Sequence, residues 1–156
     1  MIDPAQLTAE LVRIPSCDPP GGELAVAQAV ARMLRQIGIS TELDEFLPGR
    51  ANFIGRIPGR GEKPALVMSA HLDTVPVREM PWSFDPFAGD IVYDRIRGRG
   101  ASDMKSAVAA FVAAADRLNR RQAPLAGDVI LAFTAGESAN CLGARHLVGR
   151  HRLPAM

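Results

Sequence analysis

Apolar residues recur along this chain in two rhythms, one close to the helical repeat and one of short unbroken runs, and the two alternate from end to end. Leu7, Leu11, Val12 and Ile14 keep helical spacing and predict a helix from Pro4 to Ile14, closed by Pro15 and the loop SCDPPGG. A longer helix is predicted from Glu23 to Ile37: Ala27, Val30, Leu34 and Ile37 share a face, Arg32 and Arg35 lie off it, and Gly38 supplies the stop. Strands are predicted from Thr41 to Phe46 and from Asn52 to Ile57, followed by a turn at Pro58-Gly59-Arg60-Gly61. The run ALVMSAHL, Ala65 to Leu72, is short and nearly all apolar, which predicts a strand buried on both faces of a sheet.

Pro81, Pro86 and Gly89 interrupt any period between Pro76 and Gly100, predicting a crossing loop with a hairpin or edge strand from Ile91 to Arg97. From Met104 to Arg121 an alanine-rich helix is predicted, with Val108, Phe111, Val112, Ala115 and Leu118 on one face and RLNRR placing positive charge at its C-terminal end. Asp128 to Thr134, DVILAFT, predicts another buried strand, and a final helix is predicted from Gly143 to His151. Helices alternating with buried strands predict an α/β sandwich of three layers.

Composition narrows the class. The chain has 156 residues, 47% hydrophobic and 22% charged, the balance of one globular domain with a real core. Eighteen basic residues against seventeen acidic ones give a net charge of +1, and the basic residues are scattered, which argues against a nucleic-acid partner. No apolar run approaches the roughly 18 residues of a membrane span. The start, MIDPAQLTAELVR, lacks the basic and apolar regions of a signal peptide, so a soluble, cytoplasmic protein is expected. Cys17 and Cys141 lie far apart and in no CxxC, which predicts small packing residues rather than a disulfide or a cysteine zinc site.

Open α/β sheets place their sites beyond the carboxyl ends of the strands, and polar residues follow the apolar runs at three places. In SAHLDTVP, His71 and Asp73 are two apart and project to one side of an extended backbone. That suits a metal-binding imidazole whose neighbouring carboxylate fixes its tautomer, and equally a histidine bonded to a turn aspartate. In GRGASDMK, a glycine-rich turn delivers Asp103 to the mouth of the alanine-rich helix, where a carboxylate can bridge two cations or cap the helix. In TAGES, Glu137 follows DVILAFT directly and can take a proton from a metal-bound water or serve as an ordinary exposed loop carboxylate.

Taken in order, IPSCDPPGGE, SAHLDTVPV, SFDPFAGDI, IRGRGASDMKSAVAA and FTAGESANCLGARHL resemble the M20 family of metallopeptidases and amidohydrolases, which includes acetylornithine deacetylase, succinyl-diaminopimelate desuccinylase, aminoacylase and carboxypeptidase G. The resemblance implies the catalytic fold of the zinc-dependent exopeptidases and two divalent cations, zinc, cobalt or manganese. It implies a small N-acyl amino acid or peptide as substrate, while charge and apolar run length, as above, give no expectation of a nucleic-acid or membrane partner. His71 matches a histidine that binds one metal, Asp73 the carboxylate that orients it, Asp103 the bridging aspartate, and Glu137 the glutamate that activates water. The family usually has a second glutamate next, a ligand of the other metal; here that position is Ser138, neutral and too short to replace a carboxylate without an intervening water. Family members are more than twice as long, with a lid domain and a C-terminal return. Residues 1–156 are therefore expected to be the N-terminal portion of a catalytic domain, without the family's remaining carboxylate and C-terminal histidine ligand. His146 and His151, in ARHLVGRHRL, are expected to be solvated surface residues.

Two functional readings follow: metal-assisted hydrolysis of an amide between an acyl or peptidyl group and an amino acid, or a non-catalytic binding or assembly module. A nucleotide-binding domain is disfavoured, since GRGASDMKS has neither GxGxxG nor the Walker pattern.

Overall fold

The computed structural model describes residues 1–78, 81–122 and 124–150. Helix α1, Pro4–Val12, starts where Asp3 caps it, its carboxylate accepting the amides of Ala5 at 2.8 Å and Gln6 at 3.3 Å. Helix α2, Glu23–Gln36, follows the SCDPPGG loop and turns Val26, Ala27, Val30, Ala31 and Leu34 inward. Strands β1, Ser40–Leu47, and β2, Arg50–Ile57, form an antiparallel hairpin around Gly49, whose left-handed φ of 74° suits the tight reversal. Then come β3, Leu66–His71, the small hairpin β4, Asp90–Val92, with β5, Arg95–Arg97, helix α3, Ser106–Arg121, strand β6, Val129–Thr134, and helix α4, Leu142–Arg150.

The main sheet has the order β1-β2-β6-β3, antiparallel except for the parallel pair β3 and β6. On one face Ala51, Phe53, Ile57, Val129, Leu131 and Phe133 meet the apolar sides of α1, α2 and α3 in a single core. Phe53 and Phe133 stack at 5.4 Å between centroids. Each large side chain so buried contributes about 1.5–3 kcal/mol, which is why the helix faces read from the sequence hold. The opposite face is covered by the short α4 alone among the described residues, leaving a groove lined by Ile54, Val67, Ile130, Ala132 and Leu147.

The three-layer reading is met, with one layer thin. Several local expectations need correction. Strand β3 is not buried on both faces: among the described residues it pairs only with β6, and Leu66 and Val67 are 56% and 44% exposed at the sheet edge. An all-apolar run cannot distinguish a central strand from an edge strand whose flank is open. The doubly covered strand is β6, with five of its six residues buried. Helix α3 begins two residues later than read, because Met104 has a non-helical φ of −135°. Cys141 is exposed rather than packed, while Cys17 is half-buried. His146 is no free surface residue: it stacks on Phe46 at 4.7 Å, and its Nε2 lies 3.0 Å from Asp44, which also pairs with Arg150. His151 lies outside the described residues.

Candidate metal centre

Parallel pairing of β3 and β6 brings their carboxyl ends to the same edge of the sheet, with His71 opposite Thr134. The Leu72 amide continues the ladder to the Thr134 carbonyl at 2.8 Å, so His71-Leu72-Asp73 and Ala135-Gly136-Glu137 leave the sheet side by side. A third segment joins them. The Thr74 amide donates to Ser16 at 2.9 Å, the Asp18 amide donates to Thr74 at 2.8 Å, and the Ser16 hydroxyl donates to the Leu72 carbonyl at 2.7 Å.

Asp73 is 1% exposed and fully engaged. It accepts the Glu137 amide at 2.9 Å, the Ser138 amide at 3.1 Å and the Ser138 hydroxyl at 3.0 Å, and its Oδ1 lies 3.5 Å from His71 Nδ1. Burial pushes the Asp73 carboxyl up, but His71 and the Glu137 and Ser138 donors outweigh it and hold it well below the usual carboxylate range. The His71 ring is held at Nδ1, 3.0 Å from the Asp73 carbonyl oxygen, which leaves Nε2 pointing outward to Asp103 Oδ1 at 3.1 Å. With nothing else bound there, Asp73 and, more weakly, Asp103 raise the imidazole to about 9 against the cost of burial.

Asp103 reaches this point from a tight turn, Ala101–Lys105, and its side chain is 87% exposed, with no capping bond to α3. The turn is anchored on both sides. Met104 Sδ accepts the His71 amide at 3.3 Å, and the fully buried Lys105 donates from Nζ to the carbonyls of Leu11 at 2.9 Å and Ile14 at 2.6 Å, at the negative end of α1. Burial lowers the Lys105 ammonium to about 8. Glu137 is exposed and lines the same cleft as His71, Met104 and Thr134.

The sequence reading named four of these groups and missed the shell that holds them. Asp18, Glu23, Arg50 and Asn52 are buried or nearly so around the segment 135–138. Asn52 accepts the Ala135 amide at 3.1 Å and donates to the Gly143 carbonyl at 2.9 Å, fixing where the chain leaves β6 and enters α4. Arg50 Nη2 donates to Asp18 Oδ2 at 2.8 Å and Glu23 Oε1 at 2.7 Å. The signal for the acidic pair lay in plain view, since Asp18 and Glu23 both fall in CDPPGGE. Arg50 and Asn52 gave none, because only the antiparallel register of β2 against β6 carries the start of β2 to the site.

A bound cation can be tested against this donor set. Two ligands at about 2.0–2.1 Å in tetrahedral array lie about 3.3 Å apart, close to the His71 Nε2 to Asp103 Oδ1 separation of 3.1 Å. His71 Nδ1, tied to a carbonyl and near a carboxylate, leaves Nε2 as the free donor, the usual arrangement behind a metal-bound imidazole. Around segment 136–138 three buried carboxylates, Asp18, Glu23 and Asp73, face one guanidinium, leaving negative charge that favours a cation. Among the described residues no three His, Cys, Asp or Glu side chains converge as a ready-made metal cage. His71 and Asp103 thus fit two ligand positions of one cation. Ser138 does not stand as a third: its hydroxyl is directed to Asp73 and lies 3.3 Å from Asp18 Oδ2.

The model of peptidase family M20/M25/M40 matches residues 67–155, more than half of the chain, and takes in all three of these polar turns. The chain belongs to this family. It is 41% identical over 141 residues to a succinyl-diaminopimelate desuccinylase of Parvibaculum lavamentivorans, covering 86% of this chain and 34% of that protein. A protein of the same name from Dinoroseobacter shibae is 41% identical over 143 residues, covering 90% and 36%. The chain thus spans about a third of the length of these M20 relatives. Among solved structures, an M20 family metallo-carboxypeptidase from Sulfolobus solfataricus superposes with a TM-score of 0.82 at 23% identity, over 96% of this chain and 34% of the other. A dinuclear metal binding peptidase of the family from Bacillus subtilis gives 0.67 at 24% identity, over 96% and 38%. These likenesses establish the fold as that of M20 catalytic domains. No helix among the described residues is long and apolar enough to cross a membrane.

Proposed function

We propose that residues 1–156 are the N-terminal portion of the catalytic domain of a metal-dependent amidohydrolase, cleaving the amide between an acyl group and an amino acid. The observation that carries this reading is the convergence of an oriented His71 Nε2, at 3.1 Å, with an exposed Asp103 that has no capping bond to its helix. In this reading His71 and Asp103 hold a divalent cation, zinc, cobalt or manganese, and Asp73 fixes the ring of His71. The exposed Asp103 would be the residue to share with a second cation, as the name of the Bacillus subtilis neighbour, a dinuclear metal binding peptidase, suggests. When bound, such cations polarise a carbonyl and lower the pKa of a coordinated water.

Glu137 is the proton carrier. Its backbone is fixed by Asp73 through its own amide, while its carboxylate stays free in the cleft beside His71. It takes a proton from the attacking water and gives it to the leaving nitrogen, so that the amine departs neutral. The desuccinylases among the relatives favour a succinylated or otherwise acylated amino acid with a free carboxylate as substrate. The other parts of the family's site, lid and C-terminal return included, would lie in the two thirds of length these relatives have beyond this chain.

One observation favours a second reading, a non-catalytic module: Ser138 stands where the family usually has a ligand, and it bonds to Asp73 instead. Zinc titration separates the two. The hydrolase reading expects a protein extended to the family's length to bind zinc and to lose that binding in His71→Ala and Asp103→Ala. Absence of binding in the extended parent, or binding indifferent to both changes, overturns it.

A further inference from the structure

We propose that Arg50 is a positioning residue for Glu137: its guanidinium joins Asp18 and Glu23 into one clamp around the backbone of residues 136–138. That Glu137 is the proton carrier so positioned rests on the reading above; the clamp itself does not.

Arg50 lies at the first position of β2, where the hairpin partner β1 ends and the site begins. Its contacts are side-on to Glu23, Nη2 to Oε1 at 2.7 Å and Nε to Oε2 at 3.3 Å, with Nη2 also donating to Asp18 at 2.8 Å. A planar, permanently charged fork can serve two carboxylates at once; an ammonium matches the charge but not this geometry. Glu23, fully buried, passes the constraint on. Its Oε1 accepts the Gly136 amide at 3.0 Å and its Oε2 accepts the Gly22 amide at 3.0 Å.

The Ser138 hydroxyl has one proton and two carboxylate oxygens in reach, Asp73 Oδ2 at 3.0 Å and Asp18 Oδ2 at 3.3 Å. Donating to one turns its lone pairs on the other, so Asp18 needs a second donor, and Arg50 is that donor. The fit is close on both sides of the guanidinium. A Cβ on Gly21 would lie 2.7 Å from Arg50 Nε, and one on Gly136 would lie 2.7 Å from Nη2. Both glycines have left-handed φ values, 97° and 66°, so the backbone wraps the fork directly at positions few other residues adopt.

Three successive amides set the path of the backbone through Glu137: Gly136 on Glu23, and Glu137 and Ser138 on Asp73. Arg50 governs the first of these and steadies Asp18 beneath the last. Removing it leaves His71 and Asp103 in place but frees the Gly136 amide from Glu23, so the turn opens more often and the adjoining Asp73 bonds at Glu137 and Ser138 open with it.

The test is amide hydrogen exchange by NMR on the 156-residue chain, for the parent, Arg50→Met and Arg50→Lys. With Arg50→Met, exchange at Gly136, Glu137 and Ser138 should rise at least about tenfold more than at Leu131 and Phe133 in β6, the local opening of an unpinned turn. Arg50→Lys should recover part of that difference. A calorimetric zinc titration should stay within about threefold of the parent, because neither His71 nor Asp103 touches Arg50. Equal acceleration in the turn and in β6, or none in the turn, overturns the proposal. Should Arg50→Met not fold, Arg50→Lys decides alone: turn-specific acceleration supports the clamp and unchanged protection overturns it. Zinc binding in the extended protein that ignores His71→Ala and Asp103→Ala would count against the hydrolase reading and leave the exchange result standing.

Discussion

Asp73 and Asp103 meet on the two sides of one histidine, yet they are built in opposite ways. Asp73 is 1% exposed and accepts three hydrogen bonds from the segment 137–138, whereas Asp103 is 87% exposed and its side chain hydrogen-bonds only to His71 among the described residues. The inner carboxylate organises the protein; the outer one stands in solvent. Position is supplied to Asp103 largely by its neighbours Met104 and Lys105, which leaves Oδ1 on His71 as its one side-chain hydrogen bond among the described residues.

The contrast is broken most directly by deleting each carboxylate. Asp73→Ala should destabilise the chain by about 3 kcal/mol or more, since it strands two amides and a hydroxyl that a buried carboxylate holds and leaves Asp18 and Glu23 in a disrupted network. Asp103→Ala should change stability by less than about 0.5 kcal/mol, as for an exposed residue, while abolishing zinc binding. Urea denaturation with parallel zinc titration measures both; equal stability losses would erase the distinction.

Glu137→Gln should leave stability and zinc affinity near the parent. In a protein extended to the family's length it should lower hydrolysis of a succinylated amino acid by about 10²–10⁴-fold, the usual worth of a general base. A variant that keeps full turnover would remove Glu137 from the chemistry.

The pH dependence of stability sharpens the same comparison, because His71 and Lys105 act with opposite sign. His71 is raised in the fold from its ordinary 6.5 to about 9, so the stabilisation it receives from Asp73 is complete below about pH 6.5 and is lost as pH rises to about 9. Lys105 is lowered from its ordinary 10.5 to about 8, so its burial costs stability below pH 8 and the cost lifts between about 8 and 10.5. Metal-free urea midpoints should therefore fall from near pH 6.5 and recover above about 9. His71→Gln should flatten the fall and Lys105→Met the recovery; curves unchanged by both would remove these groups as the source.

The smallest effect expected is that of Ser138. Ser138→Ala removes one hydroxyl but neither of the amide bonds that Asp73 receives, and should cost about 1 kcal/mol. Ser138→Glu tests the family's usual residue. It sets a further carboxylate beside Asp18 and Asp73, and should raise zinc affinity only if its side chain turns away from them toward the cation.

The sequence by itself determined the helices and strands with a strong apolar rhythm, because Val26, Val30 and Leu34, or Val108, Val112 and Ala115, bury the same stripe wherever the helix lies. It also determined the polar turns carrying His71, Asp73, Asp103 and Glu137, since each follows or precedes an element whose end is marked by composition. Tertiary structure alone decided that β3 is an edge strand, for burial depends on neighbours that a run of apolar letters does not name. It also decided the pairing of Ser138 with Asp73 and the gathering of Asp18, Glu23, Arg50 and Asn52 around one turn. Those residues are separated by up to 120 positions from the groups they hold, and only the register of β2, β6 and β3 brings them within hydrogen-bonding reach.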